Sequence, residues 1–275
     1  MKYLKYLLLS SICFLFWTDS ELQGKTKKTE PGLFPGKKIE VGEELTYVVS
    51  YSFMKLGEVK LKVKDKRIIE GKTYYNTVAY IDSYSGIPFV NLHQIYESKV
   101  SEDLYSGYFR GIVKEDEYST FTEYFFDYDN NKKIRIKKGK IRPYELWNDS
   151  TTSAEKYFQD GLSIFYYARM SLGKKQSVDV PCFVKEDKVN THINFYTERY
   201  PVSVDAIDYD IDCLRLDGIT DFVSVFGLTG YFEGWFSNDE ASIPIIAKMK
   251  VIIGNITLEL KSWKRNGWKA PKYIK

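Results

Sequence analysis

GLTGYFEGWFSNDEASIPIIAKMKVIIGNITLEL, residues Gly227 to Leu260, is the stretch that decides the fold. Its alternation of apolar and polar side chains predicts three consecutive strands joined by two tight turns. The first turn is expected at Asn238-Asp239-Glu240, with Asp239 ordering it. An aromatic group marks the first strand: Tyr231, Phe232, Trp235 and Phe236. We interpret the stretch as the packing spine of a sheet, because apolar residues alternate behind the turn: Ile243, Ile245, Ala247, Met249, Val251 and Ile253.

The same two-residue period extends through most of the chain, working outward from this spine. Near the N-terminus it predicts a hairpin with its turn at Lys55-Leu56-Gly57 and one apolar face: Leu45, Tyr47, Val49, Tyr51 and Phe53. Further strands are predicted at about 73–81, 94–100, 104–114, 118–128, 134–136, 178–184, 190–197, 203–209 and 211–216. Short turns between successive strands favour antiparallel pairing, since a parallel pair needs a long crossover.

One segment changes period. In residues 153–172, SAEKYFQDGLSIFYYARMSL, the apolar positions recur at helical spacing, with Asp160 as a possible N-cap and Gly173 as a stop. An isolated amphipathic helix must bury its apolar face against the sheet. We therefore predict an all-β, mainly antiparallel fold: a large curved sheet, barrel or half-barrel, with one amphipathic helix packed on or into it. Residues 41–264 form a single β domain in this interpretation, and 265–275 a peripheral basic tail.

The N-terminus has the features of an export signal. Lys2 and Lys5 precede an apolar run from Leu7 to Trp17, which is typical of a signal peptide, predicted here as residues 1–24. The run is shorter than the roughly 20 residues of a membrane span. Acylation at Cys13 is disfavoured, because the bulky Ile12 precedes it. Residues 25–40 contain two Pro-Gly breaks and predict an extended leader, so we expect an exported protein of the periplasm or cell envelope.

Charge and cysteine content leave several possibilities open. The formal net charge of +3 is weak and indicates neither nucleic acid nor an anionic membrane as a partner. After signal removal Cys182 and Cys213 remain, and they are a candidate disulfide in an oxidising compartment. Two buried free thiols fit the sequence equally well.

The residues that carry catalysis and metal binding are sparse. The chain has two histidines, His93 and His192, and neither has metal-ligand spacing. Cys182 with His192 lacks a third orienting residue, and the carboxylates at Asp208, Asp210 and Asp212 fail the calcium-loop pattern. We expect no catalytic residues, no metal and no cofactor, and hence no enzyme.

Arg169 is the most notable polar residue of the predicted helix, because it shares a face with Phe165 and Tyr166. A guanidinium there needs a carboxylate, an aromatic face or a ligand head group. The candidate ligand-binding residues are Phe165, Tyr166, Arg169 and Trp235, where Trp235 is expected to stack on the helix or on a cavity wall. The alternative for Arg169 is an internal ion pair or a snorkelling side chain.

The order of several short motifs resembles an uncharacterised exported bacterial family, domain of unknown function 3108. The matching residues are the opening Gly42-Glu43-Glu44-Leu45-Thr46-Tyr47 with Gly57; Asp160-Gly161-Leu162-Ser163 with Tyr166 and Arg169; Val180-Pro181-Cys182-Phe183-Val184; and Trp235-Phe236-Ser237 with Asp239, Pro244 and Gly254. The resemblance implies a mostly antiparallel β protein of the cell envelope, with no catalytic residues to transfer. A fainter, fold-level likeness is to periplasmic lipoprotein carriers, in which a half-barrel wraps a helical lid.

Two functions follow as hypotheses. The first is a non-enzymatic exported protein that binds an apolar or amphipathic, lipid-like ligand inside the curved sheet, below the helix. The second is a structural or protein-interaction module of the envelope, which holds a protein partner by an exposed sheet edge or aromatic patch.

Overall fold

A computed structural model describes residues 36, 39–87, 91–115, 117–220, 228–251 and 254–275, and these lie in one compact unit that runs from Pro31 to Lys275. The predicted signal peptide and nearly all of the predicted leader lie outside the described residues. In the described part the chain forms one helix, α1 (Ser163–Ser171), and fourteen strands. The strands are β1 (Glu44–Tyr51), β2 (Met54–Ile69), β3 (Lys72–Ser83), β4 (His93–Ser101), β5 (Ser106–Lys114), β6 (Ser119–Asp127), β7 (Lys133–Lys140), β8 (Glu145–Ser153), β9 (Gln176–Val184), β10 (Asp187–Val204), β11 (Ile207–Thr220), β12 (Leu228–Ser237), β13 (Pro244–Val251) and β14 (Gly254–Lys264).

All fourteen strands belong to one antiparallel sheet. Its order is β8-β7-β6-β5-β4-β3-β2-β1-β14-β13-β12-β11-β10-β9. Strands that follow one another in the chain pair in every case except β8 and β9, which are the two edge strands and are connected through the helix. The first and last strands, β1 and β14, pair near the centre of the sheet. The predicted fold class is confirmed: the protein is a mostly antiparallel β fold with one curved sheet, which is not closed, and one short helix.

Contacts between distant strands show how strongly the sheet curves. The ring of Tyr124 on β6 meets that of Phe183 on β9 edge-on, with centroids 4.9 Å apart. Between the two edges runs the segment 154–160, where Gln159 donates its amide to the carbonyl of Pro181 and accepts from the amide of Phe183, both at 2.8 Å. This segment covers part of the β9 edge and encloses an aromatic core beneath the helix.

The predicted spine is present as β12, β13 and β14. Ile243, Ile245 and Met249 are buried as predicted. Asp239 orders the β12–β13 connection by accepting hydrogen bonds from the hydroxyl of Ser237 (2.8 Å) and the amide of Ser242 (2.9 Å). Gly227, Ile252 and Ile253 lie outside the described residues.

The first hairpin turns earlier than predicted. Tyr51 pairs with Met54, so the turn is Ser52-Phe53, while Lys55, Leu56 and Gly57 belong to β2. Ser52 adopts the left-handed region with φ 54°, which a turn at this position requires. As a result Phe53 does not continue the apolar face of β1 and is 94% exposed.

Three further differences concern lengths and edges. The β9–β10 turn is at Lys185-Glu186, both at positive φ, and β10 then runs unbroken to Val204. The C-terminal tail is not peripheral, because Ala270 is buried and Tyr273 donates its amide to the carbonyl of Asp210 at 2.8 Å. Strand β8 was not predicted, because its sequence ELWNDSTTS lacks apolar alternation.

Candidate functional site

The carboxylate of Asp160 precedes helix α1, but the N-cap residue is Leu162 and not Asp160 as predicted. Oδ1 of Asp160 accepts hydrogen bonds from the amides of Leu162 (2.7 Å) and Ser163 (2.8 Å), and the Ser163 hydroxyl accepts from the amide of Asp160. These bonds satisfy amides that the first helical turn leaves without a partner. Gly173, at φ 84°, follows the last turn. The helix is shorter than its periodic sequence segment and begins only at Ser163.

The other oxygen of Asp160 ties the helix to the sheet. Oδ2 accepts hydrogen bonds from the hydroxyls of Ser98 on β4 and Ser106 on β5. Asp160 is fully buried, and these described partners are all neutral. Burial raises the pKa of the Asp160 carboxyl, against the opposing effect of its hydrogen bonds. The carboxylate therefore positions the start of the helix against β4 and β5.

At the other end of the helix, Arg169 forms a buried ion pair with Glu43. Nη1 of Arg169 lies 2.7 Å from Oε1 of Glu43, and Nη2 lies 3.0 Å from Oε2. Arg169 also donates to the carbonyls of Ala241 (3.0 Å) and Ser242 (3.2 Å), and Arg265 donates to Glu43 from the other side. The network joins the helix, the start of β1, the β12–β13 connection and the residue after β14.

The electrostatics of this network favour its charged form. Burial raises the pKa of the Glu43 carboxyl, but the two guanidinium groups outweigh burial and leave that pKa lowered. Burial would lower the pKa of Arg169, yet Glu43 keeps it above its ordinary value. Burial also raises the pKa of Tyr47 and Tyr166, so both phenols stay neutral. None of these four side chains is poised to exchange a proton near neutral pH.

The structure separates the four candidate ligand-binding residues. Tyr166 and Arg169 are together, with the guanidinium 5.7 Å from the ring centroid, and Phe165 packs nearby at the edge of the core. Trp235 packs against a different cluster, where Lys248 lies 5.2 Å from its ring. Its neighbour Phe236 packs in the cluster that contains Ala168 of the helix and Leu172 just after it. Tyr166 and Arg169 are 1% and 3% exposed, so protein groups surround both of them.

The candidate disulfide between Cys182 and Cys213 is not formed, and both thiols are free and buried. Strand β10 lies between their strands, and their partners on it are Val189 and Tyr200. These partners are separated by roughly 35 Å of strand, whereas a disulfide needs Cα atoms within about 7 Å. Burial raises the pKa of the Cys182 thiol to about 12. Neither cysteine is an activated nucleophile.

His192 lies on the outer face of the sheet and does not meet Cys182. Its Nδ1 is 2.8 Å from Oδ1 of Asp179 and its Nε2 is 3.2 Å from Oδ1 of Asn194. The hydrogen bond to Asp179 raises the pKa of the imidazole. The pair continues into a polar network with Asp217 and Arg215, which is a solvated ladder on neighbouring strands.

Two surface clefts share the side chain of Trp263, at the end of the sheet where the chain leaves β14. One, of about 410 Å³, is lined by Asp208, Trp268 and Lys269 among others. The second, of about 500 Å³, lies beside Glu40, Val41 and Arg265. Trp268 donates its indole N–H to Asp239 at 2.8 Å and meets Trp263 edge-on. Both rings therefore anchor the tail to the sheet.

The two edges of the sheet differ in protection. On β9, Pro181 has no N–H to offer and the segment containing Gln159 covers the strand from Pro181 to Phe183. On β8, no backbone hydrogen bond from another described residue reaches the outer edge. Leu146 and Trp147 of β8 are 41% and 53% exposed, and Tyr144, in the preceding turn, is 67% exposed. An uncovered strand edge of nine residues is a template for strand pairing.

Sequence reasoning missed both the β8 edge and the partner of Arg169. Trp147 and the β-branched pair Thr151-Thr152 are a weak strand signal, but both faces of the strand are polar or exposed. Glu43 gives no local sign of its partner, which is 126 residues away. Among the helices in the described residues, none is long and apolar enough to span a bilayer. Nor do these residues gather three metal-ligating side chains at one point.

The family comparison covers most of the sheet. Residues 46–261 match the profile of the family described as "Protein of unknown function (DUF3108)", as the motif resemblance predicted. Among curated proteins, none matches the chain.

Three solved structures are similar in fold. A β-barrel-like protein of domain of unknown function DUF1849 from Brucella abortus has 13% sequence identity and a TM-score of 0.48, over 82% of this chain and 97% of its own. A proposed lipoprotein from Parabacteroides distasonis has 9% identity and a TM-score of 0.32, over 82% and 96%. A proposed exported protein with a YmcC-like fold from Bacteroides fragilis has 7% identity and a TM-score of 0.31, over 83% and 98%.

Proposed function

We propose that this chain, which belongs to the DUF3108 family, is an exported, non-enzymatic protein of the bacterial cell envelope that holds an extended segment of a partner protein against the free edge of β8. The observation that carries the proposal is the contrast between the two sheet edges. The β9 edge has a proline and a covering segment, and the β8 edge has neither among the described residues.

Strand addition suits the chemistry of β8. An added strand gains backbone hydrogen bonds along the edge, which supply affinity, while side-chain contacts supply specificity. Trp147 and Leu146 offer apolar contact area beside the edge, and Tyr144 stacks on Phe121 with centroids 5.9 Å apart. Tyr and Trp are favoured at interfaces because each has a large apolar body and a polar tip.

The interior is the weaker candidate for binding. Arg169, the group expected to meet a ligand head group, has Glu43 and two backbone carbonyls as partners. Tyr166 is packed among buried core residues. The lipid-like ligand predicted from the sequence would have to displace a satisfied buried ion pair, which is costly.

A pair of proline variants tests the proposal. Alternate residues of an edge strand point their N–H groups in opposite directions, so one of Ser150→Pro and Thr151→Pro breaks a bond to β7 and the other removes only an outward N–H. Thermal unfolding identifies the variant that keeps native stability. The affinity of that variant for the partner should fall by roughly tenfold or more, because the proline blocks the hydrogen-bond ladder on which β augmentation depends.

The partner itself is captured by a photo-crosslinking residue at Trp147 in cells, with the same residue at the exposed Ile68 as the matched control. A partner cross-linked from Trp147 alone, and lost in the stable proline variant, supports the proposal. Undiminished binding in that variant would overturn it. Native mass spectrometry of the purified protein tests the alternative function, the binding of a lipid-like ligand. Detection of such a bound molecule would favour that function.

A further inference from the structure

Two neighbouring hairpins end side by side at one end of the sheet. Tyr51 pairs with Met54 in the turn of β1–β2, and Val251 pairs with Gly254 in the turn of β13–β14. The hairpins are adjacent because β1 pairs with β14, with Ser50 opposite Thr257. We define the hairpin-tip surface as Phe53 of the first turn together with four residues at the adjoining strand ends: Tyr51, Met54, Lys55 and Lys250.

The apolar part of the hairpin-tip surface projects into solvent. Phe53 is 94% exposed, and the flanking Tyr51 and Met54 are 38% and 39% exposed. A phenylalanine at the apex of a turn contributes almost nothing to the core of its own chain. Contiguous exposed apolar groups at such a position are typical of a surface that contacts a partner or a membrane.

The tyrosine is held in place by the second hairpin. A Cβ atom added to Gly254 would lie 2.7 Å from Cε2 of Tyr51, and Gly254 adopts φ 133°. The ring of Tyr51 therefore rests against the Gly254 backbone and joins the two tips. This contact fixes the amphipathic ring of Tyr51 at the join between the two tips.

The charged residues nearest the two turns are lysines. Lys55 and Lys250 are exposed, and neither the segment 50–57 nor the segment 244–258 contains Asp or Glu. Further from the turns, Lys248 lies opposite Glu233 on β12 and Glu58 is paired with Lys261. The formal net charge of the whole chain is only +3, so this cluster is a local feature. Lysines around an apolar tip match the charge and the layering of an anionic lipid surface.

We propose that the hairpin-tip surface docks on an anionic phospholipid bilayer. Phe53 and Met54 enter the boundary between headgroups and acyl chains, and Tyr51 sits at the interface, where Tyr and Trp are enriched in membrane proteins. The lysines contact anionic headgroups. The inference concerns a different surface from the β8 edge and does not depend on a protein partner there.

Strand β2 supplies matched controls, because it carries an exposed apolar residue and an exposed lysine near each end. Ile68 is 76% exposed and Lys66 is exposed. Along the strand they lie roughly 50 Å and roughly 43 Å from Phe53. Sedimentation with vesicles of 30% phosphatidylglycerol in phosphatidylcholine should show binding of the wild-type chain. Phe53→Ser should lower the partition coefficient about tenfold and Lys55→Gln roughly fivefold, whereas Ile68→Ser and Lys66→Gln should leave it unchanged.

A fluorescent reporter gives a second, independent measurement. The emission of Phe53→Trp should shift to the blue on addition of the same vesicles, and that of Ile68→Trp should not. Equal binding of wild type and Phe53→Ser, or a blue shift at both reporters, would overturn the proposal. So would a hairpin-tip variant that changes the oligomeric state in light scattering without changing vesicle binding, since the occupant would then be a second copy of the chain.

Discussion

Arg169 of the helix and Glu43, just before β1, form a two-bond ion pair at 2.7 and 3.0 Å between positions 126 residues apart. The pair is almost fully buried and shares Glu43 with Arg265. It fastens the helix to the junction of β1 and β14, where the first and last strands meet. The guanidinium that the sequence offered as a ligand contact is thus a structural link.

Removing one partner of this pair should destabilise the protein strongly. Arg169→Met should lower the free energy of unfolding by about 3–5 kcal/mol, because Glu43 and two carbonyls lose a buried donor. Urea denaturation measures the change. The control is Arg135→Met, which breaks an exposed two-bond pair with Asp149 and should change stability far less. Similar losses in both variants would contradict the structural role.

The same pair predicts a loss of stability in acid. The folded-state pKa of Glu43 is lowered from its ordinary value of 4.5, so its stabilising effect is complete above about pH 4.5 and is lost as the pH falls through the folded pKa. The urea concentration at the unfolding midpoint of the wild type should therefore decrease as the pH is lowered below about 4.5. In Glu43→Gln this part of the pH dependence should be absent. If this variant keeps the wild-type pH profile, Glu43 is not the cause of the loss of stability in acid.

Asp160 should show how much the helix depends on its N-terminal carboxylate. Asp160→Ala removes the acceptor of two amides and two hydroxyls and should cost about 1–3 kcal/mol. Asp160→Asn keeps an oxygen for the amides and should cost less. Because burial raises the pKa of Asp160, ionisation opposes folding as the pH rises above 3.8, and the asparagine variant escapes that penalty. Thermal melts at pH 4 and 7 measure both effects.

The two cysteines should behave as inert thiols. A chain that begins at residue 25 should show two reactive thiols per molecule in a thiol assay after denaturation without reductant. In the native state almost none should react, because burial raises the pKa of both thiols. The melting temperature should not respond to dithiothreitol. Fewer than two equivalents after denaturation would indicate a disulfide after all.

His192 should titrate above its ordinary pKa of 6.5, because Asp179 stabilises the imidazolium. Its contribution to stability is present below about pH 6.5 and is lost as the pH rises through the folded pKa. NMR titration of the ring resonances should give a midpoint that moves down in Asp179→Asn. No movement in that variant would show that the ion pair is absent in solution.

Local chemistry explains why much of the fold could be predicted. The alternation in residues 244–251 and the switch to helical spacing around Leu162 to Met170 depend on neighbours a few positions apart. The same is true of the hydrogen bonds from the Leu162 and Ser163 amides to Asp160. The turn residue Asp239 acts within three positions of its partners. For such features the sequence is sufficient, because the period decides which face becomes buried.

The remaining features depend on which strands meet. The polar strand β8 is a strand because β7 offers it a ladder, and its own sequence has no alternation that would predict it. Cys182 and Cys213 are far apart because β10 lies between their strands and their registers on it differ.

The sequence by itself determined most of the antiparallel strands and the helix, since hydrogen bonding and apolar period act over short separations. Only the tertiary structure decided that Arg169 meets Glu43, that the β8 edge stays uncovered among the described residues, and that Phe53 stands at an exposed tip. Each of these depends on long-range pairing and on the curvature of the sheet, which bring together residues that carry no local sign of one another.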